Sequence, residues 1–532
     1  MVCPADHVEV LSEQRTPKTA LDKTPKQDNV VKDGFQYLNG QVVNQATSII
    51  RGVILPNLLT PFHYGIIAML SLVERYSVFT NLGVHTANLY QVPARRAVGD
   101  IEEAERIKNC IYSFSLLMGG LGVLLILFGT LSNAGRLSRE MFWGLLILSV
   151  IPLLTMYRGT YMTLLRADKK FGLMGKATTF SSVLGSVLVV LLAWRFKVYG
   201  VLVGQVLALA ALLLFVQRKA RFKFKFMLLP KKIWELLQFS IPIFFIIGFL
   251  STFLLTLDRL MIAKYLGIQA VGFYSIALTL SSFILLPPSA ISMVLSTRII
   301  ESCSRSAEEA QRQICPALYL IALSTSFLAA LLSLAVPCIF EIIFRKYKPG
   351  IPSAMILPFA LYFEAIGYLP NDGVIGMGKM KPYILFLALT TGGSYLLFLF
   401  FLKGRGLVMA ASLMVVSLFV KNLALLFLCA FAVLKNSKKR IFGFVAFPLL
   451  VFLVAGMGVF VLNTVFPNPV DTGIAPLLGC FFIRSFFLIL VYFPLLFYVD
   501  KKTGLLKLAY QKLKEALPRG EGWKAGGPTI EL

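Results

Sequence analysis

The sequence predicts an all-α, polytopic membrane protein of about fourteen transmembrane helices, arranged as two six-helix lobes plus a C-terminal helix pair. Three observations carry that prediction. Hydrophobic side chains make up 57% of the 532 residues and charged ones only 15%, where soluble globular proteins are about 25% charged. Apolar runs of the length a bilayer crossing needs, about 20 residues, recur along the chain. Finally, no segment between those runs much exceeds about 25 residues, too few for a soluble domain on either face. A water-soluble enzyme is excluded.

Taken in order, the apolar runs fall at 35–57, 63–85, 109–131, 141–163, 177–194, 198–217, 236–257, 270–297, 314–340, 351–375, 382–402, 406–434, 441–464 and 474–498. The richest basic loops, Arg218 to Lys232 (RKARFKFKFMLLPKK) and Lys435 to Arg440 (KNSKKR), divide them into six, six and two. The resulting organisation is a polar N-terminal tail (1–34), a first lobe (35–217), a basic linker (218–235), a second lobe (236–434), a helix pair (441–498) and a C-terminal tail (499–532). Lys and Arg crowd the loops of one face, which predicts that both termini are cytoplasmic in the inner (plasma) membrane. The first 34 residues lack the apolar core of a cleavable signal, so the first helix is expected to direct insertion.

The net charge of +26 is accounted for by these loops. Nucleic acid is not an expected partner, since aromatic and basic residues do not interleave in a binding motif. Seven scattered cysteines without a CxxC pair read as lone thiols. The histidines His7, His63 and His85 form no HExxH and pair with no cysteine at ligand spacing, so neither a metal nor another cofactor is expected.

A faint internal repeat supports the two-lobe division. RGVILPNLLTPFHYG (Arg51 to Gly65) can be laid over RLMIAKYLGIQAVG (Arg259 to Gly272), pairing Arg51 with Arg259, Ile54 with Ile262, Leu58 with Leu266 and Gly65 with Gly272. An even number of helices per half gives the halves a common orientation about an axis along the membrane normal. A central cavity between the lobes is the architectural expectation.

The segment LDRLMIAKYLGIQAVGFYSIAL (Leu257 to Leu278), its first-half counterpart LLTPFHYGIIAML followed by TNLGVHTANLY, and the loop GMGKMKPY (Gly376 to Tyr383) resemble the polysaccharide-transport flippases of the multidrug/oligosaccharidyl-lipid/polysaccharide superfamily. The resemblance implies a fourteen-helix, two-lobed transporter. Its cargo would be a lipid-linked oligosaccharide, typically on undecaprenyl diphosphate, moved to the outer leaflet for cell-surface polysaccharide synthesis. A coupling H+ or Na+ and polysaccharide polymerase machinery are the further partners expected.

A diphosphate and its sugars cannot cross hydrocarbon unaided, because stripping polar groups of water costs several kcal/mol each. Helix 1 offers a polar route: Gln41, Asn44, Ser48 and Arg51 recur at helical spacing on an otherwise apolar segment. Arg51 is the first candidate for a diphosphate contact, since a guanidinium stays charged when desolvated and grips phosphate oxygens through a bidentate fork. An interface arginine, or one paired with Glu74, is the plainer reading. Arg259, its repeat partner, could face it across the lobes, or form an ordinary ion pair with Asp258. Arg298 could meet the headgroup at the inner end of helix 8, or simply anchor that helix. Glu364, deep in helix 10, is a candidate coupling-ion site; a buried pair with Lys421 or Arg484 is the alternative.

Other features point away from chemistry. Asp372 reads as a helix-terminating turn, and Glu341 with Arg345, Lys346 and Lys348 as surface electrostatics. Gly373 to Lys379 (GVIGMGK) imitates a phosphate-binding loop, but Met380 replaces the magnesium ligand and no strand precedes it. Gly200 and Gly204 form a close-packing GxxxG, and Pro287–Pro288 should kink or open helix 8. Two rival functions remain: a drug or cation antiporter of the same fold, which would call for acidic cavity residues, and a membrane-embedded polysaccharide polymerase or glycosyltransferase, which would need a larger loop or an acidic catalytic motif.

Overall fold

The structure, a computed structural model, describes residues 27–241, 246–434, 438–467 and 474–503. The expected tails therefore lie outside the described residues over 1–26 and 504–532, as do positions 435–437 of the second basic loop. The described residues are helical almost throughout, with no strand among them.

The first half comprises α1 (Gln27–Leu58), α2 (Pro61–Ser77), α3 (His85–Ala97), α4 (Ile101–Ser132), α5 (Arg139–Leu148), α6 (Ile151–Ala167) and α7 (Phe171–Ala220). The second comprises α8 (Pro230–Ser240), α9 (Ile247–Tyr265), α10 (Ile268–Ser281), α11 (Leu286–Arg305), α12 (Ala307–Ile342), α13 (Ile351–Ile366), α14 (Tyr368–Gly376), α15 (Met380–Phe401) and α16 (Leu407–Val433). The terminal pair is α17 (Lys438–Val465) and α18 (Ile474–Thr503). Local chemistry sets the starts. The Thr60 hydroxyl accepts from the His63 N–H just before Pro61, Asp100 accepts from Glu103 N–H, and Ser306 accepts from Glu309 N–H in an S-x-x-E capping pattern.

Ten helical stretches among the described residues are long and apolar enough to cross a membrane. Outside those ten stand α1, α2 with α3, and α8 with α9. Two of these groups carry the first half's polar stripe with Glu74 and Arg75, and the third carries Asp258 and Arg259. Polarity at the site thus lowers the membrane signal of the helices that bear it. The expected spans 177–194 and 198–217 share α7, which breaks at Lys197 (φ 52°, ψ −123°). Across that break the GxxxG packs as expected: a Cβ on Gly200 would strike the Leu192 carbonyl, and one on Gly204 the Val189 backbone. A 3-10 turn, Ser282–Leu285, precedes Pro287 and opens the expected eighth helix into α10 and α11.

Apolar burial is organised by halves. One buried cluster joins α1, α2, α6 and α7 around Ile66, Leu70, Val201 and Leu202. Another joins α9 to α16 around Tyr274, Ile321, Tyr362 and Phe363. The terminal pair docks on α12 through Leu334, Val451, Ala455 and Leu488, and Arg484 donates to the Phe466 carbonyl.

The basic linker is fastened to the first half. From Arg221 to Leu229 it runs extended along α4, where Lys225 N–H donates to Asn109 Oδ1 (3.1 Å) and Met227 N–H to Ser113 Oγ (2.8 Å). Phe224 stacks on Tyr112, with centroids 4.2 Å apart. Lys232 then pairs with Glu103 at 2.7 Å. The alternation of FKFKF turns Phe222 and Phe224 inward and leaves Lys223 and Lys225 exposed.

The halves meet where α2 lies along α10. A Cβ on Gly65 would run into the Ile268 carbonyl, and one on Gly272 into the Pro61 carbonyl. Gly65 and Gly272 are partners in the internal repeat, and the same shift carries Pro61 onto Ile268. Each contact is therefore the image of the other, as residues on a two-fold axis require. Elsewhere the halves are joined by the Tyr76 and Thr256 hydroxyls at 2.5 Å. The Tyr347 hydroxyl donates to the carbonyls of Pro56 (3.1 Å) and Leu59 (3.4 Å). Lys346, expected to be surface charge, reaches the Asn57 carbonyl at 3.1 Å and so belongs to this junction.

Candidate functional site

The helix 1 stripe does face a cavity. Asn44, Ser48 and Arg51 line a polar space of about 200 Å³ together with Thr47, Glu74, Arg158, Ser181, Ser182, Ser186 and Gln205. Every one of these residues belongs to the first half, on α1, α2, α6 and α7. This cavity lies inside the first lobe, apart from the points where the glycine contact and the Tyr76 and Tyr347 bonds join the halves.

Polar groups on the wall are ordered by one another. Ser182 Oγ donates to Asn44 Oδ1 at 2.7 Å, while Ser48 Oγ returns to the Asn44 carbonyl at 2.7 Å. The cations are left open. Neither the Arg51 nor the Arg158 guanidinium has a hydrogen-bond or ion-pair partner among the described residues. Glu74 and Tyr64 lie within electrostatic reach of Arg51, yet Glu74 makes no ion pair with it. Two arginines against one carboxylate leave the cavity with excess positive charge.

Arg259 lies in the second half, 7% exposed. Its Nη2 donates to the Leu255 carbonyl at 3.2 Å, and its Nε stands 3.8 Å from Asp258 Oδ1. Tyr64 is within electrostatic reach of both Arg51 and Arg259, so the repeat partners flank one tyrosine without sharing a cavity. Arg298 is exposed on α11 and does not line the first-lobe cavity. Glu364 pairs with Lys421, Nζ to Oε2 at 2.6 Å, and Arg484 is engaged elsewhere. Asp372 sits within α14 facing Ser292 and Ser296 of α11; it does not terminate a helix. The phosphate-loop imitation is helical through Gly376 and offers no cradle of backbone N–H groups.

His85 is held in the first-half core. Its Nδ1 meets Asn81 Nδ2 at 2.7 Å, and its Nε2 meets the Ser115 and Thr160 hydroxyls at 2.9 and 3.1 Å. Both ring nitrogens are satisfied, which makes it a core-ordering side chain.

The sequence matches the family described as polysaccharide biosynthesis protein over residues 54–344, more than half of the chain. This protein belongs to that family. Among solved structures, the family member is similar to the lipid II flippase MurJ in an inward closed conformation. The TM-score is 0.66 at 15% identity, covering 86% of this chain and 99% of MurJ. It is also similar to a multidrug resistance MATE family transporter of the MOP superfamily. The inward-facing form gives a TM-score of 0.56 at 14% identity (80% and 96% covered), and the outward-facing form 0.52 at 15% (82% and 96%). None of the curated proteins matches it. The family member thus shares the all-α, polytopic fold of these structures, a flippase and a transporter.

Proposed function

We propose that this protein is a flippase that moves a lipid-linked oligosaccharide, carried on a polyprenyl diphosphate such as undecaprenyl diphosphate, from the cytoplasmic to the outer leaflet of the plasma membrane. The observation that carries the reading is the pair Arg51 and Arg158, unpartnered guanidiniums on a polar cavity within a membrane-embedded lobe. Unpaired charge at that depth is costly, and a diphosphate would offset the cost with bidentate hydrogen bonds. Asn44, Ser48 and Ser182 supply hydroxyl and amide groups for phosphate or sugar oxygens. Arg259 would add a contact from the second lobe, and Arg298 would meet the headgroup as it approaches from the basic face. The name of the MurJ neighbour, a lipid II flippase, agrees with such a cargo.

A cavity of about 200 Å³ is below the roughly 300–1,000 Å³ of typical ligand sites, so it would have to widen to admit the headgroup. Alternating access would open the lobes on one face and then the other. Glu364, buried against Lys421, is the proposed coupling site for H+ or Na+: protonation would release the lysine. Both termini would be cytoplasmic, and a polysaccharide polymerase would use the product.

Reconstitution in liposomes with a fluorescent lipid-linked oligosaccharide tests the reading; export of small amphiphiles with no glycolipid translocation would overturn it. Arg51→Ala should lower translocation at least tenfold, the equivalent of one charge-assisted hydrogen bond of about 1.5–3 kcal/mol, and Arg51→Lys should retain part. Glu364→Gln should remove dependence on the imposed ion gradient. The antiporter reading is favoured by one observation, Glu74 on the cavity wall. A cationic drug that is exported by the native protein and lost in Glu74→Gln would establish it.

A further inference from the structure

We propose that a second cavity, at the far end of the first lobe, binds the anionic phosphate of a lipid headgroup. It is an open hollow of about 660 Å³ and shares no lining residue with the Arg51 cavity. Its walls come from the starts of α2 and α5 and from the break in α7, so it sits at the end of the lobe where α1 turns into α2. Arg139, Arg195 and Lys197 converge here from two separate turns.

None of these three cations has an ion-pair partner among the described residues. Glu140 also lines the cavity, and a single carboxylate leaves two positive charges in excess. The Arg195 guanidinium lies over the Phe196 ring, 5.6 Å from its centroid, which limits the directions its N–H groups can take. Lys197 occupies the cavity with φ 52° and ψ −123°, a backbone region that glycine adopts freely and a side-chain-bearing residue resists. A lysine kept where glycine would be easier points to use of its ammonium. Trp143 and Phe196, both about half exposed, match the aromatic belt found at headgroup depth. Convergent cations beside interfacial rings select a phosphate with an apolar tail; a neutral sugar would leave the charges unmet.

The test uses the full chain in nanodiscs and reads retained lipid by native mass spectrometry. Phosphatidylglycerol and undecaprenyl phosphate are offered separately against a phosphatidylcholine background. Retention of either supports the site, and the better retained of the two identifies the source of the phosphate. Lys197→Gly removes the charge and relieves the backbone, so its thermal midpoint should hold or rise while retained lipid falls about tenfold. Arg139→Gln with Arg195→Gln should abolish retention of phosphatidylglycerol. Arg51→Ala should leave phosphatidylglycerol retention intact, which separates this site from the proposed cargo cavity whether or not transport is observed. Equal retention by Lys197→Gly and the native chain, or no preference for the anionic lipids over phosphatidylcholine, would overturn the proposal.

Discussion

The two halves carry the faintly repeated segments that meet at Gly65 and Gly272, but their interiors differ. The first is hollow and polar, with Arg51 and Arg158 open to the cavity. In the second the charges are paired. Arg259 lies beside Asp258, Lys421 pairs with Glu364, and the Phe363 ring packs against Tyr362 and Phe419 with centroids 5.4 and 5.2 Å away. A repeated segment therefore does not duplicate the site. Fold similarity places the helices; which side chains are left without partners decides where a charged cargo can settle.

The contrast can be broken most sharply at Lys421. Lys421→Met leaves the half-buried Glu364 without its partner and should cost about 1–3 kcal/mol, read as a lowered thermal midpoint. Glu364→Leu combined with Lys421→Met should recover most of that stability. If the double variant also transports with its gradient dependence intact, the pair is structural and coupling lies elsewhere.

Arginine substitutions come next in size. Arg158→Ala should lower glycolipid translocation as much as Arg51→Ala does, at least tenfold. Arg259→Ala should lower translocation less than Arg158→Ala does, because that guanidinium is partly engaged by Asp258, and should also lower stability by leaving Asp258 without its neighbour. Equal transport losses at Arg158 and Arg259 would erase the distinction between an open and a paired half.

The smallest effects probe the place where the halves ought to be equivalent. Gly65→Ala and Gly272→Ala each drive a Cβ into the facing carbonyl, at a cost of about 1–3 kcal/mol. Because each contact mirrors the other, the two variants should lose stability equally. An unequal loss would count against a two-fold relation at this crossing.

Much of this was legible in the sequence. The stripe from Gln41 to Arg51 could be read because a helix puts every third or fourth residue on one face, and the repeat named the glycines that meet. Arg158 was not singled out, although it stands within the 141–163 span and is marked by the same signal as Arg51, an arginine in apolar surroundings. Ser181, Ser182 and Ser186 gave no signal, since small hydroxyl residues are ordinary in membrane helices. Lys421 and Arg484 were equal partners for Glu364 on paper; only packing separates them. The breaks at Leu82 (φ 50°) and Lys197 were hidden because neither residue type favours positive φ.

The glycine crossing also bears on motion. Backbone meets backbone at the two glycines, with the Tyr64 and Phe273 rings edge-on to Tyr347 beside them, so the point of closest approach can act as a bearing about which the helices tilt. Tyr76 lies eleven residues further along α2, roughly 16 Å at 1.5 Å per residue. A swing of about 10° over that lever would separate its hydroxyl from Thr256 by nearly 3 Å, beyond hydrogen-bond range, while the glycines would scarcely move.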